Sequence, residues 1–483
     1  MKVIIIGGGP VSCLAAIRLR TRGHEVRVYE RGMNPLSTRP GRGNSFNLTL
    51  TERGLRSLPL ALRDSVYRAG VELPQRVIHH KDGSLTYQPY GVTTGQHLLS
   101  IPRNSLHRLL LAEAKAAGAQ FYFDHECFGA DPRNATAQFV SCGKVIVETA
   151  DLLIGCDGAN STVRHEISRR GGRLDIRQFF IPHGYVELTM PPDDRGLHSL
   201  LHALRDPMVP ESSSHGLHVW PREDFMLLAQ PNRDQTYTAT LFMPLRSDIQ
   251  GQPSIEMLRG SAGVVHFFEK HLPDSLAFLP ELDTAFFAGR ASALRTIACD
   301  PFHHGRTVLL GDAAHTLVPF YGQGINCSFE DVQVLMSSLE QADDRGGAID
   351  DVPSVLARFT QERSEPVKAI TELSLANLRE LSAHTDSKEF HARNRLELKL
   401  HARYPELFAP LYHLVAFSEL PYHLAVDRYT WHRRMLDELC WQHDLATDEE
   451  VIIRLFVEQA KYGRHQPKSA QELIVAVREE LVR

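Results

Sequence analysis

Long apolar runs are what this 483-residue chain most plainly lacks. Its unbroken apolar stretches are a few residues long, as in Val3-Ile4-Ile5-Ile6, far below the ~18 needed to span a bilayer. The chain opens on Met1-Lys2 and passes directly into a strand pattern, so no signal peptide is expected. Charge of one sign is also missing. The 53 Lys+Arg and 58 Asp+Glu give a net charge of −5 with no Lys/Arg-rich run, which excludes the electrostatic footprint of a nucleic-acid binder. Cysteines 13, 127, 142, 156, 299, 327 and 440 form no CxxC pair. Their odd number and spacing predict a reducing, cytoplasmic compartment and no metal site. What is present is an ordinary globular mixture, 43% hydrophobic and 23% charged, which excludes a disordered or fibrous chain. At roughly 150 residues per domain the length suggests about three domains.

The first thirty residues carry a nucleotide signature. Lys2 to Ile6 is a β-branched run that reads as a buried parallel strand. Gly7-Gly8-Gly9-Pro10-Val11-Ser12 follows, then a helix pattern that stops near Gly23 and a second strand, Glu25 to Tyr29, ending on Glu30 and Arg31. This is a βαβ unit with the dinucleotide fingerprint. Gly7 permits the tight turn, Gly9 lets the backbone approach a pyrophosphate, and the helix N-terminus offers amides to that anion. Glu30 stands where an acid accepts hydrogen bonds from a ribose. Ser12 replaces the third glycine and is small enough for close helix–strand packing. This element alone does not separate FAD from NAD.

Two later segments do. In Asp151-Leu-Leu-Ile-Gly-Cys-Asp157-Gly158-Ala-Asn-Ser161-Thr162-Val-Arg164 an apolar strand ends on Asp-Gly, and Ser161 or Thr162 can cap a helix. Thr307-Val-Leu-Leu-Gly311-Asp312-Ala-Ala-His315 is a second such strand, followed by Pro319-Phe320-Tyr321-Gly322-Gln323-Gly324-Ile325-Asn326 and a helix from about Asn326 to Gln341. Together, in this order, the three segments resemble the FAD-dependent aromatic hydroxylases. The resemblance implies that Asp157 serves FAD and NAD(P)H, that Asp312 holds the flavin ribityl chain, and that Gly324, Ile325 and Asn326 bring backbone to the isoalloxazine ring. It also gives Arg42, Asn47 and Arg103 a cofactor-side role, and sets Pro319, Phe320 and Gly322 at the reacting edge of the flavin. No second Gly-x-Gly-x-x-Gly follows a strand, so the nicotinamide is expected to visit a groove.

Further stretches are similar to the branch of that family that hydroxylates kynurenine: Ser45-Phe-Asn47-Leu-Thr-Leu, Arg76-Val-Ile-His79, Gln88-Pro89-Tyr90-Gly91, Ile181-Pro-His-Gly-Tyr185-Val-Glu187-Leu-Thr, Leu217-His-Val-Trp220-Pro-Arg222 and Thr240-Leu-Phe242-Met-Pro244. The resemblance runs from residue 1 to about 435. It implies that Arg76, with Tyr90, holds the amino-acid carboxylate of the substrate, where a guanidinium fork suits a bidentate contact. Asn377 and Tyr412 would close on the substrate, with Leu217, Phe242 and Phe320 as walls around its aniline ring. Leu381 and Ile325 stand where methionine is usual, and Cys327-Ser328 replaces a small pair; a ring-substituted kynurenine is one reading of these departures.

The implied reaction is hydroxylation at the 3-position by a flavin 4a-hydroperoxide, formed from molecular oxygen on FAD reduced by NADPH or NADH. Because the substrate's amino group activates the ring, no strong general base is required, and the sequence offers no evident Asp–His pair; His315 reads as structural. The expected fold is α/β, of the p-hydroxybenzoate hydroxylase type. A Rossmann-like FAD domain (1–70, 98–172, 288–340) interleaves with an antiparallel-sheet substrate domain (71–97, 173–287), and a helical region (341–483) follows, with Pro366 bending or interrupting its first long helix. The amphipathic segment from Asp448 cannot span a membrane, so an unanchored soluble enzyme, monomer or homodimer, is expected. Competing readings are a hydroxylase of another aromatic acid, or a flavin NADPH oxidase without hydroxylation.

Overall fold

Val3, Ile4 and Ile5 are fully buried because their strand, Lys2–Ile6, lies inside a six-stranded sheet, covered on both faces. Its parallel neighbours are Glu25–Tyr29 and Leu152–Gly155, with Ile6 in register with Tyr29 on one side and Gly155 on the other. Thr307–Leu309 extends the sheet beyond Leu152–Gly155, and Gln120–Tyr122 flanks Glu25–Tyr29. Helix Pro10–Thr21 packs against helices Arg103–Ala116 and Gly324–Asp343. In this computed structural model the described residues are 1–37, 47–91, 95–192, 216–249, 251–258, 261–288, 291–343, 351–383, 388–445 and 447–462.

The sheet order explains how three distant motifs meet. The strands that begin the three nucleotide segments lie side by side, so their carboxyl-end turns line one edge. The turns are stitched together: Gly7 N donates to Tyr29 O (2.8 Å), Cys156 N to Ile6 O (2.8 Å) and Leu310 N to Gly155 O (3.0 Å).

A second sheet has eight strands in the order His315–Thr316, Ser292–Asp300, Asp175–Met190, Tyr237–Pro244, Met226–Pro231, Gly216–Pro221, Gln75–His79 and Leu85–Pro89. Every pairing is antiparallel except Gly216–Pro221 with Gln75–His79. Strand alternation gives it two faces. Val77, Val186, Trp220, Leu227, Leu241 and Met243 pack under Phe267, Phe268 and Phe286 of helices Ser261–His271 and Leu282–Ala288. The opposite face carries Arg76, Leu217, Leu228, Phe242 and Tyr185.

The chain divides into two units, Met1–Tyr90 with His97–Ala383, and Gly91–Gln96 with His384–Arg483. The second is helical; Leu396, Leu400, Phe408, Leu436, Leu439, Ile452 and Phe456 form its core. The expected interruption at Pro366 does not occur: helix Val352–Ala383 is assigned without a break. The carbonyl that loses its partner belongs to Glu362, four residues earlier and exposed, where water can satisfy it. No helix among the described residues is long and apolar enough to cross a membrane.

Candidate active site

The first turn is shaped for a ligand's phosphates. Gly7 has φ +95°, and a Cβ there would lie 2.4 Å from Cys156 O, so only glycine fits. Gly9, Gly158 and Gly324 differ: a Cβ at each would meet nothing within 4 Å, leaving their backbone faces open. Glu30 braces the turn, accepting from Gly8 N (2.6 Å) and Gly32 N (2.7 Å). Its carboxylate has lone pairs left for a ribose. Pro10 and Val11 begin the helix, and Ser12 is fully buried beside Cys156, which is the close packing its small side chain permits. His107, from helix Arg103–Ala116, holds Gly8 O from the other side (2.6 Å).

Asp157 accepts from Val163 N through Oδ2 (3.2 Å), while its buried Oδ1 has no partner among the described residues. Burial raises its pKa, partly offset by bonds from Ser161 and Val163. A buried carboxylate oxygen without a donor is costly, and ligand hydroxyls or water would satisfy it. Arg164 donates to Ala159 O and Ala313 O (2.7 Å each), tying this turn to the next. Asp312 stands in the turn Gly311–Ala313. Burial raises its pKa, opposed by His315, Arg103 and Arg295. Yet its side chain is more than a third exposed, so solvent screens much of that shift. The open glycines, the orphan Asp157 oxygen and the Asp312 carboxylate fit the pyrophosphate and polyol of FAD.

Behind Asp312 lies a buried ionic network that corrects one expectation. The structure does pair a histidine with an aspartate: His315 Nε2 is 2.6 Å from Asp331 Oδ2, and both are 1% exposed. Asp331 also accepts from Gly311 N (3.0 Å) and Arg363 Nε (2.9 Å), and Arg363 continues to Glu330 (2.6 Å). Burial opposes its ionisation, but His315 and Arg363 hold the Asp331 carboxyl below its ordinary range. The pair escaped the sequence reading because Asp331 lies one helix further on. The available signal was an acid among the buried positions Val332, Leu335, Met336 and Leu339. His315, Cys327 and Asp331 could face one cation, but Arg363 Nη2 sits 3.3 Å from Cys327 Sγ and supplies the positive charge itself.

The segment Pro319–Tyr321 is a short turn closed by Gly322 at φ +67°. Asn326 fastens it: Nδ2 donates to Gly322 O and Thr49 O (2.9 Å each), and Oδ1 accepts from Thr51 N (2.9 Å). Its side chain is thus spent within the protein, and its backbone is what it offers a flavin. Asn47 is likewise occupied, by Ser100 (3.0 Å), Asn232 (2.8 Å) and Thr238 (3.1 Å), and is 2% exposed; its strand, Asn47–Leu50, belongs to a three-stranded sheet with Leu98–Pro102 and Val71–Leu73, and Asn47 ties that sheet to the eight-stranded one. Gly324 and Ile325 are half-buried at the start of the following helix. Arg103 heads its helix, and both Arg103 and Arg31 are exposed. Arg42 lies outside the described residues, as does the side chain of Leu381.

Of the residues expected on the substrate side, Arg76, Leu217 and Phe242 lie on the sheet face opposite helices Ser261–His271 and Leu282–Ala288. Arg76 is in register with Leu217, and its guanidinium lies 5.7 Å from the Tyr90 ring centroid. Three strand spacings away, ~14 Å, Phe242 packs edge-on against Phe320 (5.4 Å) and beside Tyr185 (6.0 Å). Met226, Leu294 and Val318 complete that cluster, with Leu228 partly buried against it. Asn377 Nδ2 donates to Phe320 O (2.6 Å). The face is therefore cationic and polar at one end and aromatic at the other. Tyr412, in helix Leu411–Phe417, is half-buried within the second unit.

A family described as FAD binding domain matches residues 1–374. Kynurenine 3-monooxygenase of Sus scrofa is 36% identical over 442 residues, 90% of this chain and 88% of that protein. The enzyme of the same name from Cytophaga hutchinsonii is 33% identical over 471 residues, 95% and 99%. Among solved structures, 2-methyl-3-hydroxypyridine-5-carboxylic acid oxygenase superposes with TM-score 0.61 at 23% identity, covering 84% of this chain and 98% of that one. P. aeruginosa PqsL in complex with 2-aminobenzoylacetate does so with TM-score 0.62 at 19%, covering 79% and 97%; at such identity the likeness is one of fold.

Proposed function

The chain belongs to the kynurenine 3-monooxygenase family of FAD-dependent aromatic monooxygenases, and from that premise we propose that it hydroxylates L-kynurenine, or a ring-substituted kynurenine, at the 3-position. The observation that carries this reading is the two-ended sheet face, with Arg76 and Tyr90 at one end and Phe242 against Phe320 at the other. An amino acid bearing an aryl ketone matches it end for end.

Bound FAD supplies the redox chemistry, accepting reducing equivalents from NAD(P)H and activating oxygen. The protein's own part is placement. Arg76 takes the carboxylate in a charge-assisted fork, and Tyr90 flanks it. That anchor fixes the ring's distance from the Gly322 turn. Phe242 and Phe320 hold the ring and exclude water from the reacting edge. Asn377 holds the Phe320 carbonyl and so the orientation of that wall. The substrate's aniline nitrogen supplies electron density to the ring carbon beside it, so the site needs no strong base. The seven cysteines are without a disulfide partner, which supports a reducing, cytoplasmic setting.

The test is product analysis with L-kynurenine, NADPH and oxygen. Stoichiometric 3-hydroxykynurenine is expected. NADPH consumption that yields hydrogen peroxide alone would refute the substrate assignment. A panel of methylated and halogenated kynurenines then identifies the preferred ring.

A further inference from the structure

The sheet face opposite the substrate carries a buried polar relay for which the reaction has no use. Asp274 Oδ2 accepts from Trp220 Nε1 (2.7 Å) and lies 2.9 Å from His79 Nδ1. His79 Nε2 lies 3.0 Å from His218 Nδ1. His79 also stacks on Trp220, centroids 3.9 Å apart, and Tyr237 from the next strand but one stands edge-on to His218 at 5.8 Å. The histidines are 1% and 0% exposed. With the carboxylate as acceptor, His79 carries its proton on Nδ1, so Nε2 is free to accept from His218 N–H.

The position of this bond gives it a role. His79 ends the strand Gln75–His79 and His218 lies in Gly216–Pro221, the one parallel pair in the sheet. Arg76 and Leu217 project from the same two strands onto the substrate face, in register with each other. Parallel pairing is slightly weaker per residue than antiparallel pairing, and a side-chain bond across it adds a fixed point. Resting on the substrate reading above, we propose that the His79–His218 hydrogen bond is a latch that positions Arg76 and Leu217 against the substrate, making both histidines positioning residues.

A consequence in pH follows. A second proton on His79 would turn Nε2 into a donor, so the bond donated by His218 N–H could persist only in reverse, with the His218 proton moved from Nδ1 to Nε2 inside the packed sheet face, and the latch is weakened. The groups facing His79 act against each other: burial lowers its pKa, Asp274 raises it, and Arg222 and His80 lower it further. A lowered histidine pKa means the neutral, latched form is complete above the ordinary value near 6.5 and is lost as pH falls through the folded-state value.

The test uses the flavin-loaded full chain, its His218→Leu and His218→Asn variants, steady-state kinetics with L-kynurenine, and hydrogen exchange of residues 75–79 corrected for intrinsic pH dependence. In the parent, KM should stay level from roughly pH 7.5 to 6.5 and rise several-fold as pH falls from there to roughly 5, while kcat and flavin absorbance stay within about twofold, and exchange of residues 75–79 should quicken over the same lower range. His218→Leu should show the high KM at every pH. His218→Asn, whose amide nitrogen stands near the lost Nδ1, should restore KM to within about threefold at neutral pH. A His218→Leu KM within about twofold of the parent, or a parallel loss of kcat and flavin, overturns the latch. Should His218→Leu fail to fold, pH-independent exchange and KM in the parent overturn it instead. If L-kynurenine is not a substrate at any pH, the substrate reading fails, and the exchange data still decide the latch.

Discussion

At Arg76 the geometry of the charge matters as much as its sign. A guanidinium over the Tyr90 ring can hold a carboxylate by two parallel bonds, whereas an ammonium is a point donor. A bond to a charged partner contributes ~1.5–3 kcal/mol, so Arg76→Ala should raise KM for kynurenine by about ten- to a hundredfold with flavin retained. Arg76→Lys should recover only part of this; steady-state kinetics alongside the 450 nm flavin band check both. His432 presents the opposite case. It is fully buried beside Phe408 and Phe456, and neither ring nitrogen has a partner among the described residues. An unsatisfied buried group costs ~1–3 kcal/mol, so His432→Leu, of similar size, should stabilise the helical unit by about 1 kcal/mol in urea titration. A lower midpoint would mean that the imidazole is satisfied. Arg76 and Tyr90 drew attention in the sequence through the stretches Arg76-Val-Ile-His79 and Gln88-Pro89-Tyr90-Gly91 that resemble the family, and the structure brings the two side chains together. His107 and Arg363 drew none, because their importance lies in partners, Gly8 O and Asp331, that only the fold brings near.

Among the elements, the strand Asn47–Leu50 ties its own three-stranded sheet to the eight-stranded sheet and to helix Gly324–Asp343. Thr49 Oγ1 accepts from Gln230 (2.9 Å), Thr49 O accepts from Asn326, and Asn47 reaches Asn232 and Thr238. Helix Glu52–Ser57 follows, and in it Gly54 faces Asn326 so closely that a Cβ would lie 2.2 Å from Oδ1. Two effects compete in Gly54→Ala. Alanine favours the helix by ~1 kcal/mol, but the amide it strikes is held by three backbone bonds and cannot swing away. The clash should win, with a destabilisation of roughly 1–3 kcal/mol and weaker FAD retention, read by thermal melting and flavin release. A more stable variant would show that Asn326 yields. Elements with a strong pattern, such as Lys2–Ile6, were legible from periodicity alone. Helix continuity through Pro366 was not, because it depends on which side of the helix faces water.

Over the whole molecule, histidines set the acid limit of stability. Burial pushes His432 down to about 4, with Arg428 adding to it, and burial with His401 lowers His413 to about 4. Both therefore favour folding fully above pH ~6.5, and that contribution is lost as pH falls from there through about 4. The helical unit should weaken across this window. Trp431 and Trp441 lie in this unit and Trp220 outside it, so fluorescence of a Trp220→Phe variant should report the unit's urea midpoint falling between pH 7 and 5. A flat midpoint would contradict the buried neutral state of both rings. The interleaving of the flavin and substrate segments was legible in the spacing of the three motifs; the division at Ala383 was not, since it reflects packing between helices rather than any linker composition.

The strand order has one more consequence, for synthesis. Lys2–Ile6 pairs with Leu152–Gly155, and that strand in turn with Thr307–Leu309. At roughly 5–20 residues per second, about 15 to 60 s pass between translation of the first strand and of the last one it depends on. For about the first half of that interval the apolar, β-branched strand has only Glu25–Tyr29 beside it, and until its end the cleft for the flavin does not yet exist. The nascent chain is thus a client for chaperones before it is a flavoprotein, and a message truncated before codon 307 should yield aggregate rather than a yellow fragment.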